Sequence, residues 1–133
     1  RMSGYNAFIQ QNIASVKANE ELVLSDLKFS DGRLGVTPIY GAGSENFKDM
    51  TVTWNTDPAG DYQMSSDLAY ALWLSEDGKV KGYSAGEVRR SAGAAQMMTL
   101  NDNAVNGDVV VLAFRREDGS LVGSSSVSII DQF

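Results

Sequence analysis

The chain has 133 residues, with 11 basic and 17 acidic side chains, a net charge of −6, and neither His nor Cys. Ser–His–Asp and Cys–His catalysis, zinc sites of His or thiolate ligands, and disulfide frameworks are therefore excluded. The acidic balance argues against nucleic-acid binding, which needs clustered Lys and Arg to neutralise phosphates. The length suits one domain, and no apolar run approaches the roughly 18 residues of a membrane span.

The first predicted element is an amphipathic helix over residues 3–17. Its apolar stripe, at the three- and four-residue spacing of such a helix, consists of Tyr5, Phe8, Ile9, Ile13 and Val16. We expect residues 1–19 either to pack on the domain that follows or to tether it to another part or partner. Residues 20–133 are predicted to form that domain.

After the helix, the apolar spacing changes from a helical period to the alternation of β-strands. The predicted strands cover residues 22–30, 33–40, 48–54, 67–75, 79–84, 95–100, 108–116 and 121–130. Gly, Asn, Asp and other small residues predict loops at 41–46, 86–93 and 101–108.

Three Asp-Gly pairs, at residues 31–32, 77–78 and 118–119, each lie between two strand-like runs. Asp-Gly supplies the positive φ angles of tight hairpin turns, so each pair predicts a hairpin. Short strands separated by frequent turn signals are typical of an antiparallel β-sandwich. The sequence thus predicts a mainly β fold, an immunoglobulin-like sandwich of about 7–8 strands preceded by one N-terminal helix, with a small β-barrel as the alternative.

The two tryptophans are the main candidates for a binding surface. Trp54 ends an alternating strand and is predicted to be a core anchor. Trp73 shares one face of its strand with small residues, while leucines occupy the other face. If the leucine face is the core, Trp73 stands exposed, and the candidate ligand or partner surface is Trp73 with Tyr70 and Tyr83. In the alternative, both faces of this strand are covered.

Two acid-rich loops are candidates for calcium. Residues 101–108 are rich in Asn and Asp, but Ala104 and Val105 interrupt the spacing of a calcium loop. Asp57, Asp61 and Asp67 surround a second turn. We expect a polar loop in the first case, and no metal or cofactor in the protein. The doublets at residues 89–90 and 115–116 are arginines that we expect to pair with nearby acids.

Several short segments together carry a resemblance to a known family. They are Met-Ser-Gly-Tyr-Asn at residues 2–6, residues 24–34, Val-Leu-Ala-Phe at 111–114, Glu-Asp-Gly at 117–119, and residues 122–127. The chain resembles the C-terminal part of a Bacteroidota family of unknown function. Its members have a basic, Gly/Ser-rich N-terminal segment followed by a helix and a β-rich domain. The resemblance implies that Arg1 is internal to a longer protein, and it implies no catalytic residue.

These observations favour a non-enzymatic structural or protein-interaction domain of a larger protein or assembly, on a cell surface or in a phage-like particle. A protein partner or self-assembly is expected in preference to a small molecule. An extracellular or particle-associated location is expected in preference to a cytoplasmic one. The alternative is a carbohydrate-binding module that uses exposed aromatics such as Trp73. A carboxylate-based hydrolase is the enzymatic alternative.

Overall fold

The computed structural model describes residues 34–60, 62–99, 102–121, 123 and 125–133. These residues form a mainly β structure. Its strands are β1 (Gly41–Gly43), β2 (Asp49–Thr53), β3 (Leu68–Leu74), β4 (Val80–Arg89), β5 (Ala94–Met98), β6 (Val109–Arg115) and β7 (Ser126–Ile129). The predicted helix over 3–17 and the predicted strand over 22–30 lie outside the described residues.

The strands form two antiparallel sheets. A three-stranded sheet has the order β1-β2-β5, and a four-stranded sheet has the order β4-β3-β6-β7. Their facing sides share one hydrophobic core, which includes Met50, Val52, Trp54, Ala71, Trp73, Met97, Val110, Leu112 and Phe114. Two packed antiparallel sheets are compatible with a β-sandwich.

Trp54 is a core residue, as the sequence predicts. It is buried immediately after β2, and its indole Nε1 donates a 2.8 Å hydrogen bond to the backbone oxygen of Arg90. Its ring meets the Phe114 ring edge to face, with 5.3 Å between centroids. A buried indole needs such a partner for its N–H, so Trp54 ties the three-stranded sheet to the 3₁₀ turn Arg90–Ala92.

Two of the predicted Asp-Gly hairpins are confirmed. Gly78 (φ 91°) and Gly119 (φ 78°) both have the left-handed backbone that glycine tolerates. The β3–β4 turn closes with a 2.8 Å bond from Ser75 N to Lys79 O, and the Ser75 hydroxyl donates to Asp77. That hydroxyl bond lowers the pKa of Asp77 below its ordinary value. The pair at residues 31–32 lies outside the described residues.

Three strand predictions differ from the structure. Residues 41–43, predicted as a loop, form β1 against β2. Residues 34–40, predicted as most of a strand, contain only an isolated bridge at Val36. β4 continues to Arg89, although residues 86–93 were predicted as a loop. It passes Gly86 (φ 73°) at a register shift, where Tyr70 pairs with Ala85 and Ala69 pairs with Val88.

Candidate functional site

The structure buries Trp73, the main residue of the candidate ligand or partner surface. Trp73 is 0% exposed and lies between the sheets, on the same face of β3 as Ala69 and Ala71. Gly82 on the neighbouring strand also leaves room for the indole, because a Cβ there would lie 3.2 Å from Trp73 Cε3. An exposed Trp73 is therefore ruled out, and the small residues beside it serve its packing.

Tyr70 and Tyr83 lie on the opposite, outer side of the four-stranded sheet. Tyr70 is 7% exposed, and its hydroxyl accepts a 3.3 Å bond from Arg115 Nη1. Tyr83 is half-buried against the same apolar residues. The three predicted surface residues thus divide between two faces. The candidate surface required the leucine face of β3 to be the core, whereas the structure turns the tryptophan face towards the other sheet.

Asp108 and Lys81 form a buried ion pair beside Trp73. Asp108 Oδ2 accepts from Lys81 Nζ at 2.7 Å, from Trp73 Nε1 at 3.0 Å and from Val105 N at 3.0 Å. Lys81 Nζ also donates to Asn103 O at 2.7 Å. These bonds hold the loop that was considered for calcium, and its last carboxylate is occupied by an internal cation.

A second buried ion cluster lies at the other end of the core. Asp67 contacts Arg90 Nη2 at 3.2 Å and Arg116 Nε at 2.8 Å, and it accepts from Met64 N at 2.8 Å. Arg90 also donates to Thr37 Oγ1 at 2.6 Å. Burial lowers the pKa of Arg90, and the Asp67 carboxylate opposes that shift. As predicted, these arginines pair with nearby acids.

An exposed aromatic patch, made of Phe47, Phe133 and Val105, lies where three segments meet. The Phe47 and Phe133 rings lie 5.0 Å apart at 31°, and they are 51% and 45% exposed. Val105 is also exposed. Its neighbours hold the patch together, because Ala104 N donates to Phe47 O at 2.7 Å and Phe133 N donates to Asn106 Oδ1 at 2.8 Å.

The backbone of Phe47 has a positive φ of 66°, which is unusual for a residue with a bulky side chain. Its N–H donates to the Ser44 hydroxyl at 3.0 Å. The sequence prediction missed this patch because the residues come from two loops and the chain end. The sequence did contain one signal of this patch, which is the hydrophobic Phe47 within a polar, Gly-rich segment.

A polar groove of about 470 Å³ lies on the outer face of the three-stranded sheet, next to the aromatic patch. It is lined by Ala42, Gly43, Ser44, Glu45, Asp49, Thr51, Thr53, Gln96 and Gln132. Alternation along β2 points Met50 and Val52 into the core and leaves Asp49, Thr51 and Thr53 for the outer face. Gly43 admits Gln132, since a Cβ there would meet Gln132 Oε1 at 2.8 Å.

No cluster of three or more potential metal ligands of the His, Cys, Asp or Glu type occurs within the described part of the chain. Asp61, one member of the second calcium candidate, lies outside that part. Within the same residues, no helix is long and apolar enough to cross a membrane.

No protein-family model matches the sequence, and no curated protein matches it significantly. The functional argument therefore rests on the two surface features, the aromatic patch and the polar groove.

Proposed function

We propose that the chain is a non-enzymatic, protein-interaction β-sandwich domain of immunoglobulin-like type, and that it associates with a second copy of itself through the aromatic patch. The sheet sizes of three and four strands, and a buried tryptophan on the third strand (Trp73), support the immunoglobulin-like type. Membership of the Bacteroidota family, and a place on a cell surface or in a particle, belong to the same proposal.

The observation that carries this function is the half-exposed pair Phe47 and Phe133. Holding a bulky residue at positive φ costs about 1–3 kcal/mol, and leaving two aromatic rings in water adds to that cost. A protein retains an energetically unfavourable feature of this kind when the feature serves its function. Both would be offset if the rings were covered by a partner, because aromatic side chains dominate the energetics of interfaces.

A second copy is the occupant that the local charges beside the aromatic patch fit. The chain carries a net charge of −6, so two copies repel each other except where the surface is apolar or locally balanced. Exposed Glu45 and Lys48 both lie in the loop that carries Phe47. A two-fold contact would set Lys48 of one copy near Glu45 of the other, which is the self-complementarity that such a contact requires.

The glycan-binding alternative is not carried forward. It required Trp73 or the tyrosines to form an exposed aromatic face, but Trp73 and Tyr70 are buried and Tyr83 is half-buried. The hydrolase alternative needs two carboxyl groups facing each other across a cleft. Asp67 and Asp108 are already held by Arg90 and Lys81.

The test is sedimentation equilibrium of the wild type and of the variant Phe47→Ala/Phe133→Ala. We expect the wild type to dimerise reversibly, and the variant to dimerise at least about tenfold more weakly, because hot-spot aromatics contribute more than 1 kcal/mol each. Tyr40→Ala is the matched control, since Tyr40 is 87% exposed and lies at the other end of β1. A monomeric wild type, or equal loss in the control, would refute the proposal.

A further inference from the structure

Among the described residues, one buried acid has no cation beside it to neutralise its charge. That acid lies in the polar groove. Three acids are buried among the described residues, namely Asp49, Asp67 and Asp108, and only Asp49 lines the groove. Asp67 is paired with arginines and Asp108 with a lysine. Asp49 is 9% exposed, and its partners are the neutral Ser44 hydroxyl and the Gln96 amide. A buried carboxylate without a counter-ion is costly unless something else supplies the positive charge.

Most of the hydrogen-bond donors that line the groove are already used within the protein. Gln96 Nε2 donates to Asp49 Oδ2 at 2.7 Å, and Ser44 Oγ donates to Asp49 Oδ1 at 3.3 Å. Gln132 Nε2 donates to Ser44 O at 2.6 Å, and Thr53 Oγ1 donates to Gly41 O at 3.3 Å. The groove therefore offers few free hydrogen-bond donors to a ligand.

Its acceptors, in contrast, remain available. No described residue donates to Gln96 Oε1 or to the Glu45 carboxylate, and an Asp49 carboxylate with two partners has lone pairs left. Lys48, the neighbour of Asp49 in sequence, directs its Nζ to Asp102 O at 3.4 Å. The lining thus combines two negative charges with spare acceptors, and it includes no basic or aromatic side chain.

We propose that this groove binds the guanidinium or ammonium group of an arginine or lysine side chain presented by a basic peptide segment. Such a group brings several N–H donors and the positive charge that Asp49 lacks, and its charge-assisted bonds are stronger than neutral ones. A sugar fits less well, because it needs both donors and acceptors and stacks on aromatic faces. This proposal does not depend on self-association through the aromatic patch.

The experiment is a titration of the ¹⁵N-labelled protein with the peptide acetyl-Gly-Arg-Gly-amide, followed by NMR. We expect saturable shifts of the amides of Ser44, Asp49, Thr51 and Gln96. The same peptide with citrulline, which keeps the shape and loses the charge, should bind at least about tenfold more weakly. Equal binding of the citrulline peptide, or shifts centred elsewhere, would overturn the proposal.

Two variants test whether the Asp49 carboxylate is the charge that binds the arginine peptide. Asp49→Asn should weaken arginine-peptide binding about tenfold or more, whereas Asp57→Asn, the same change at an exposed acid outside the groove, should leave it unchanged. If Asp49→Asn does not fold, Glu45→Gln at the exposed rim provides the test, with an expected weakening of about two- to fivefold. Full affinity in every folded groove variant would overturn the proposal.

Two further titrations separate other ligands. Calcium chloride that shifts the same amides at lower concentration than the peptide would identify a metal site instead. Glucose that does so would identify a sugar site. Phe47→Ala/Phe133→Ala should keep full peptide affinity, so a failure of the groove proposal and a failure of the proposed self-association are distinguishable.

Discussion

At the scale of single residues, the buried charges decide which loops are held to the core. The side chain of Arg90 has no solvent-exposed surface. Its guanidinium donates to Met64 O at 3.1 Å, to Thr37 Oγ1 at 2.6 Å and to Asp67. Its guanidinium also lies 4.1 Å from the centre of the Phe114 ring. One side chain therefore connects the segments before β1 and before β3 to the core between the sheets.

We expect Arg90→Met to destabilise the protein by about 3–5 kcal/mol, because it leaves the buried Asp67 carboxylate with less compensation. The matched control is Arg89→Met, one residue earlier. Arg89 pairs with Glu117 at the surface, where the two side chains are 46% and 56% exposed, and its loss should cost at most about 1 kcal/mol.

Urea unfolding followed by circular dichroism measures both variants. A difference of less than about 1 kcal/mol between them would show that the buried cluster contributes no more than a surface ion pair. Because Arg89 and Arg90 are adjacent in sequence, their doublet alone could not reveal which of them is buried. Only the pairing of β3 with β4 and the following turn settles that.

At the scale of elements, alternation located the strands that have large side chains and missed the one that lacks them. The predicted strands over 48–54, 67–75 and 108–116 match β2, β3 and β6 to within one or two residues. β1 has the sequence Gly-Ala-Gly, which carries no alternation, and it is a strand because β2 pairs with it. Tertiary pairing of this kind has no local signal.

The alternation of side chains along a strand also does not indicate which of its two faces packs against the second sheet. In β3, both faces are apolar and almost completely buried. The sequence left open whether the leucine face alone is the core or both faces are covered, and the structure places Trp73 between the sheets and the leucines outside. The alternative prediction, that both faces of this strand are covered, agrees with the burial.

The sequence also did not indicate the polar groove. Asp49 and Gln96 are far apart in the sequence and meet only because their strands pair.

The outer face of the four-stranded sheet raises the question of what covers it. Its buried cluster consists of Tyr70, Leu72, Leu74, Val80, Val109, Val111 and Ala113. All of these residues, and the apolar residues described as packed against them, belong to β3, β4, β6 or β7 of that same sheet. Leu72 and Val111 in this cluster are 0% exposed. The sequence predicts that residues 1–19 pack on the domain, and that placement can be tested against this cluster.

Ile13→Asp tests this placement, because Ile13 belongs to the apolar stripe predicted for that helix. A charge placed against the outer cluster should lower the free energy of unfolding by about 2 kcal/mol or more. Gln10→Asp, which places the same charge on the polar side, should change it by less than about 0.5 kcal/mol. Thermal unfolding of both variants gives the comparison.

Deletion of residues 1–17 should have a stronger effect of the same kind, exposing the cluster, increasing the binding of a hydrophobic dye and causing aggregation. If Ile13→Asp and the deletion both leave the melting temperature unchanged, the segment is a tether.

At the scale of the whole molecule, the net charge of −6 lies outside the two buried ion pairs. Lys81 and Arg90 are buried in ion pairs, where they are shielded from solvent and from any approaching partner. Their buried partners, Asp108 and Asp67, cancel them there, so the excess of acids remains on the rest of the chain. Long-range repulsion between copies and attraction of basic segments follow from the same charge distribution.

The two proposed surfaces must therefore respond to salt in opposite directions. Raising sodium chloride from about 50 to 500 mM shortens the Debye length from about 14 to 4 Å. Screening removes repulsion between two acidic copies, so dimerisation through Phe47 and Phe133 should become several-fold tighter. The same change should weaken binding of the arginine peptide to the groove several-fold, because that contact is between opposite charges. Sedimentation equilibrium and NMR titration at both salt concentrations measure the two effects. Dimerisation that weakens with salt would place the contact on charged residues, away from the aromatic patch.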